Sequence, residues 1–245
     1  IMPFGFLGDF TDDRDVLVIT PEGGVIKHTP AYLNEQNSQT TKSEIQLLKN
    51  GDLTAKLVRV SKGTQYDNKF YRSELSEDDL YKGYKTRDWS YINNLEILSA
   101  TLKNDEEKVV FTENLEISIK SYASINENEY LFRVNVFNKN NYVPKRYRER
   151  KLPLKIDRGY KDLDEFTIKV PEGYKISLLP ESKELTSKFG TYKLSFEKKN
   201  DEEFTYKKTL FIKNGVYPKE DYKAYRSFRK SISKLENLRI SIVKK

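Results

Sequence analysis

Apolar residues recur at every second position over short stretches separated by Asn, Asp and Glu. That period of two constrains the fold more than any other feature of the chain. Between Leu95 and Phe137 the arms built on Leu115, Ile117 and Ile119, and on Leu131, Val134 and Val136, are each bounded by turn-forming residues. A strand points successive side chains to opposite faces, so this spacing leaves one face buried and the other wet. Repeated at short intervals, it predicts antiparallel sheets packed as a sandwich. The stretches FTIKVPEGYKISLLP, GTYKLSFEKKN and FTYKKTLFIKNG continue the pattern towards the C-terminus.

Local signals refine this frame. Asp15 to Thr20, then Pro-Glu-Gly-Gly, then Val25 to Thr29 read as a strand, a turn and a returning strand. The polar segment Asn34 to Ser43 reads as a linker or exposed lead-in. In SEIQLLKNGDLTAKLVRVSKG two apolar arms flank Asn50-Gly51, a pair that favours a type I′ hairpin turn because both residues tolerate positive φ. Gln65 to Asp88 has helical character, with Ser76 as N-cap ahead of Glu77, Asp78 and Asp79, and Trp89 and Tyr91 anchoring its exit. Near the C-terminus, Pro218, Glu220 and Asp221 open a helix whose stripe of Tyr222, Tyr225, Phe228 and Ile232 faces the core, and LRISIVK closes as a strand. No repeat of fixed period is present. The predicted class is mainly β (α+β): an antiparallel β-sandwich with a few helices, one of them near the C-terminus.

Composition removes several chemistries. The 245 residues include no cysteine, hence no disulfide, thiol nucleophile or thiolate metal site. The single histidine, His28, cannot build a histidine metal cluster, and its setting in VIKHTP reads as an exposed strand position rather than a catalytic one. No apolar run approaches the roughly 20 residues of a membrane helix, so a soluble chain without membrane insertion or secretory signal is expected. The net charge of +7 comes from 44 basic and 37 acidic residues mixed along the chain. The densest basic run, Lys145 to Lys151, lacks the motif of a dedicated phosphate-binding face, and no nucleic-acid partner is expected.

The opening GFLGDFTDDRD gathers Asp9, Asp12, Asp13 and Asp15 around Arg14. Its spacing is not that of a calcium loop, and no closing glutamate follows, so turn formation by Thr11 and Asp12, with Arg14 pairing a neighbouring carboxylate, is the simpler reading. No pair of carboxylates stands out for glycoside hydrolysis. No glycine-rich phosphate cradle is present, and no cofactor is expected. The 17 tyrosines leave sugar stacking open as a second function class.

Several stretches together resemble one family. PFGFLGDFTDDRDVLVITPEGG is similar to the segment that follows the catalytic core in Bacteroidetes-type transglutaminase-like proteins. LDEFTIKVPEGYKISLLPE, FGTYKLSFE and GVYPKEDYKAYRSFRKSISKLENLRISIVKK resemble successive landmarks of that family's C-terminal β domain, in order over Arg148 to Lys245. The resemblance implies a Cys–His–Asp triad in the parent enzyme, none of which can be placed in this chain. It implies that the chain starts just after the core, with residues 1–32 completing the core's edge. A β-sandwich would then occupy 33–245, subdivided near 139. Phe4, Phe6, Asp9, Asp12, Asp13 and Arg14 would shape the wall of the cleft. The implied role is a non-catalytic accessory module whose partner is the upstream core of the same protein, in the periplasm or outer envelope. The alternative is a stand-alone carbohydrate- or protein-binding sandwich of the bacterial envelope.

Overall fold

The computed structural model describes residues 2–127 and 129–245. A two-stranded ribbon comes first, β1 (Asp15–Thr20) and β2 (Gly23–His28), paired antiparallel from Asp15 opposite His28 to Thr20 opposite Gly23. Then follow β3 (Ser38–Leu47), β4 (Leu53–Lys62), β5 (Leu95–Asp105), β6 (Val110–Ile119), β7 (Ser124–Asn126) and β8 (Glu129–Arg133). The second half holds β9 (Leu154–Ile156), β10 (Tyr160–Lys169), β11 (Tyr174–Leu178), β12 (Lys183–Ser187), β13 (Gly190–Lys198), β14 (Glu203–Ile212), β15 (Gly215–Tyr217) and β16 (Arg239–Lys244).

An eight-stranded sheet runs β12-β13-β14-β10-β3-β4-β6-β5, and a four-stranded sheet runs β11-β16-β8-β7. Every pairing is antiparallel except that of β3 with β10, the two middle strands, which are parallel. Inward residues of both sheets, from Leu57 and Phe166 on the large one to Phe132 and Ile242 on the small one, belong to one contiguous core. Each such fully buried side chain contributes about 1.5–3 kcal/mol relative to exposure. The expected mainly β architecture is therefore the one adopted.

The polar segment Asn34 to Ser43 is not a linker throughout, because β3 begins at Ser38 and lies between β4 and β10. Thr41 and Ser43 are buried there, and the Ser43 hydroxyl donates to the Lys56 carbonyl at 2.9 Å. Polar side chains on a central strand hid it from a hydrophobic pattern. The Asn50-Gly51 hairpin forms, but not as a type I′ turn. Only Gly51 takes a positive φ, of 82°. The Gly51 amide donates to Leu48 O and the Leu48 amide to Asp52 O, while Asn50 Oδ1 accepts from the Asp52 amide. The Asn50 side chain thus mimics a turn of backbone, leaving Gly51 as the left-handed residue of a bulged loop.

The segment Gln65 to Asp88 breaks into α1 (Thr64–Asp67), a 3₁₀ turn (Phe70–Glu74), α2 (Glu77–Gly83) and a π turn (Tyr84–Asp88). Ser76 caps α2 as expected, accepting the Asp79 amide at 3.2 Å. Trp89 is fully buried and donates its indole N–H to Phe137 O at 2.7 Å, and the Tyr91 hydroxyl donates to Val136 O at 3.1 Å. Near the C-terminus a 3₁₀ turn (Lys219–Asp221) leads into α3 (Tyr222–Leu235), which buries Tyr225, Phe228 and Ile232.

Candidate functional site

Strand alternation carries charged residues into the core along one line. On β4 the inward positions are Leu53, Ala55, Leu57, Arg59 and Ser61; on β6 they are Phe111, Glu113, Leu115, Ile117 and Ile119. Register places Glu113 opposite Arg59, Arg59 opposite Thr41, Thr41 opposite Asp164, and Asp164 opposite Lys208. The result is a transverse row across β6, β4, β3, β10 and β14 whose five side chains are all buried. Beyond it, Phe111 at the β6 end joins a small cluster with Phe6 and Tyr66, while Leu210 and Tyr192 at the β14 end belong to the main core.

The helical insertion between β4 and β5 caps the β4–β6 end of the row. Arg72 binds Asp88 with both terminal nitrogens, at 2.9 and 2.8 Å, and also donates to Glu113 Oε1 at 2.8 Å. Tyr84 OH donates to the same Glu113 oxygen at 2.6 Å. Arg59 lies 3.1 Å from Asp88 and 3.5 Å from Glu113, its guanidinium 4.9 Å from the Trp89 ring centre. Lys69 reaches both carboxylates at 3.5 and 3.6 Å. At the other end Lys208 lies 2.6 Å from Asp164 and 3.6 Å from Glu236, and donates to Asn138 O at 2.8 Å. Asn138 in turn donates to Thr41 Oγ1 at 2.6 Å.

Burial and neighbouring charge set the protonation of these groups. Burial would raise Asp88, yet Lys69, the Arg72 hydrogen bonds and Arg59 outweigh it and hold the carboxyl below its usual range. Glu113 follows the same logic, lowered by Arg59, Lys69 and Arg72 against its burial. Burial, then the Arg59 charge, push Lys69 down to about 8, only partly offset by Glu113 and Asp88. Burial raises Asp162, half-buried and hydrogen-bonded by Gln65 at 2.8 Å, to about 6 against the pull of Lys208. Burial likewise raises Glu236. A cleft of about 230 Å³ opens over the row, lined by Lys69, Asp88, Trp89, Tyr91, Lys139 and Asp162. No group of three or more His, Cys, Asp or Glu side chains arranged to hold a metal ion occurs among the described residues. The row's charges pair with one another and with the insertion, and so link five strands to it.

The residues singled out at the N-terminus lie elsewhere, on an arm laid across the small cluster. Phe6 is buried, its ring 5.2 Å from Tyr66 in an edge contact and 6.0 Å from Tyr32. Phe4 is fully exposed. The Asp9 amide donates to Asp67 Oδ2 at 2.8 Å. Asp12 is buried against the guanidinium of Arg158, which also reaches the Asp9 carbonyl. Asp13, at φ 51°, contacts His28 Nε2 at 3.1 Å, while Asp15 holds His28 Nδ1 at 2.8 Å. Those hydrogen bonds, Asp15 first, raise the His28 pKa. Arg14 lies 5.1 Å from the Phe10 ring centre, and its amide donates to Thr29 Oγ1. The arm thus brings Asp9 and Asp12 together around Arg158, and none of the six lines the cleft over the charged row.

Sequence reasoning passed over Arg59, Glu113, Asp164 and Lys208. Their signal was legible in principle: each interrupts an inward-facing series, as in Leu53, Ala55, Leu57, Arg59. A charge in an inward register must find a buried partner or pay heavily for desolvation.

The N-terminal ribbon has a different character. Every residue of β2 is exposed, and so are Leu17, Ile19, Val25 and Ile26, with Phe10 and Leu33 exposed beside it. Neither ribbon strand pairs with any other strand among the described residues.

Residues 128–242 match the model of a family described as a Domain of Unknown Function with solved-structure structure (DUF3858). The match covers most of the stretch from Arg148 to Lys245 and gives it no assigned activity. No curated protein matches. Among solved structures the chain is similar to a putative protease from Parabacteroides distasonis, at 9% identity and a TM-score of 0.37, over 59% of this chain and 35% of that one. The chain therefore aligns with about a third of that relative's length.

Proposed function

We propose that this chain is a non-catalytic accessory module that docks, through its N-terminal ribbon, onto a transglutaminase- or cysteine-protease-like core preceding it in the same protein. The observation that carries the reading is the ribbon of β1 and β2, with Leu17, Ile19, Val25 and Ile26 exposed. An isolated two-stranded ribbon is marginal in water, and its unpaired edges and apolar faces gain stability from a second body. The resemblance of PFGFLGDFTDDRDVLVITPEGG to the segment following such a core supports the choice of that body. A chain without cysteine supplies no thiolate, and the buried charges neutralise one another, which favours support over catalysis. On this reading Phe4 and Phe10 add to the docking face, while Asp12 and Arg158 clamp the arm to the β domain.

The test is hydrogen exchange on the chain alone and after mixing with the separately purified core. Amides of β1 and β2 exchange fast in the free chain and become protected on mixing. Replacing Leu17 and Ile26 with serine abolishes both the protection and co-migration with the core. Ribbon amides that stay equally unprotected in the presence of the core would overturn the reading.

A further inference from the structure

A dense group of cations lines a groove between α3 and the connection from β8 to β9. Residues 134–153 join β8 to β9 without strand or helix. Connections longer than about 12–15 residues are uncommon in compact domains and are usually functional when ordered. This one is held in place by α3: Tyr222 OH donates to Lys145 O at 2.6 Å, Arg226 Nε to Pro144 O at 3.0 Å, and Arg229 Nε to Tyr142 O at 3.3 Å. Between the strap and the 3₁₀ turn and helix lies a groove of about 690 Å³.

Its walls are mostly cationic, with Glu220 the one carboxylate among the lining residues. The strap supplies Arg146, Arg148 and Arg150. The turn and helix supply Lys219, Lys223, Arg226 and Lys230, spaced four, three and four residues apart and so aligned on one face, about one charge per 5.4 Å turn. Among the described residues none of these cations joins an ion pair, although cations elsewhere on the surface do. A depression of about 510 Å³ on the outer face of the large sheet shows the contrast: its Lys56 pairs with Glu116, and its Lys169 and Lys199 with Glu203. Concentrated like charge repels itself, so a groove with seven cations and one carboxylate gains free energy from an external anion.

The groove also carries rings. Tyr147 packs on Tyr222 with ring centres 5.5 Å apart, and the Arg150 guanidinium lies 4.3 Å from the Tyr222 centre. Tyr222 is half-buried, whereas Tyr147 stays exposed, with the Arg150 guanidinium 5.9 Å from its ring centre as well.

We propose that this groove binds an acidic polysaccharide, a chain of pyranose rings bearing carboxylates. Guanidinium forks match planar carboxylates in two-point contact, and the apolar face of a sugar ring lies on Tyr147. One ring face is a poor platform for nucleic acid, which stacks successive bases on several aromatic rings. A concave wall is equally unsuited to a flat anionic bilayer. A peptide strand would look to the strap for backbone pairing, but the carbonyls of Pro144, Lys145, Leu152 and Pro153 already accept hydrogen bonds from Arg226, Tyr222 and Arg150. This site is independent of the docking role of the ribbon.

The experiment titrates the full chain calorimetrically with an oligogalacturonate at about 0.15 M salt, where long-range attraction is screened. Neutral dextran, oligo-dT and poly-L-glutamate of matched length serve as parallel probes. Binding of the oligogalacturonate but not of dextran is expected. The exposed pair Arg148→Glu with Lys223→Glu, and separately Lys230→Glu, lower affinity about tenfold or more with unchanged melting temperature, because each reversal sets like charge against the ligand. Tyr147→Ala weakens the oligogalacturonate several-fold, leaving any poly-L-glutamate binding unchanged. The proposal is overturned if oligogalacturonate does not bind, if oligo-dT or poly-L-glutamate binds as tightly, or if the charge reversals leave affinity intact.

Discussion

Arg59 and Glu113 stand directly opposite each other on β4 and β6, both facing the core and both buried, with Arg59 Nη1 3.5 Å from Glu113 Oε2. Neither is paired with the other alone. Arg72, Lys69 and Tyr84 complete the shell of Glu113, and Asp88 shares Arg59 with it. The pair interrupts the apolar inward series of both strands, and the helical insertion closes over it.

Removing one member therefore leaves a buried charge without its partner. Glu113→Gln is expected to destabilise the chain by about 3–5 kcal/mol, whereas Arg59→Met combined with Glu113→Leu recovers much of that loss. Chemical denaturation of the two single variants and the double measures the coupling. Trp89, the only tryptophan and in contact with Arg59, reports by its emission whether the insertion stays seated. Additive losses in the double variant would contradict the pairing.

Asp162 links stability to pH. Its folded pKa is about 6, raised by burial above its value of 3.8 in the unfolded chain. Between these values the folded state holds a proton that the unfolded state has released, so stability falls as pH rises from about 4 to 6 and then levels. Glu236, also raised by burial, contributes in the same direction. Asp162→Asn removes its own share, up to about 3 kcal/mol, so the variant gains on the parent as pH rises through that window. Melting curves at pH 4, 5, 6 and 7 measure it, and parallel curves for the two proteins would count against it.

Gly51 is required by the turn it makes. At φ 82° a side chain is strained, and a Cβ there would sit 3.1 Å from Ala123 O and 3.0 Å from the Ile125 side chain. Gly51→Ala should cost about 1–2 kcal/mol in urea unfolding. Asn50→Gly, which would suit a type I′ turn, should destabilise rather than help, because the Asn50 carbonyl oxygen no longer caps the Asp52 amide.

The arm is fastened by Asp12 and Arg158. Arg158→Ala should release residues 2–32 to limited proteolysis while the main melting transition stays nearly in place, since the arm packs on the small cluster of Phe6, Tyr66 and Phe111 rather than on the large core. Unchanged cleavage of the arm would show that the Asp12–Arg158 pair does not fasten it.

The sequence by itself determined the periodic features. Alternation along β6, the Asn50-Gly51 reversal, the Ser76 cap and the apolar stripe of α3 are short-range patterns, written by neighbours two to four residues apart. It also removed thiol chemistry, through the absence of cysteine. What it left undecided is long-range. Nothing local announces that the polar Ser38–Leu47 lies at the centre of a sheet, in parallel register with Tyr160–Lys169 more than a hundred residues away. That register brings Asp164 beside Thr41 and Arg59, and turns isolated charges into a neutral row. The same tertiary choice paired Asp12 with Arg158 and set the cations of the strap, the 3₁₀ turn and α3 around one groove, where Glu220 is the single carboxylate among the lining residues. Charge pairing depends on distance in space, which the fold alone sets.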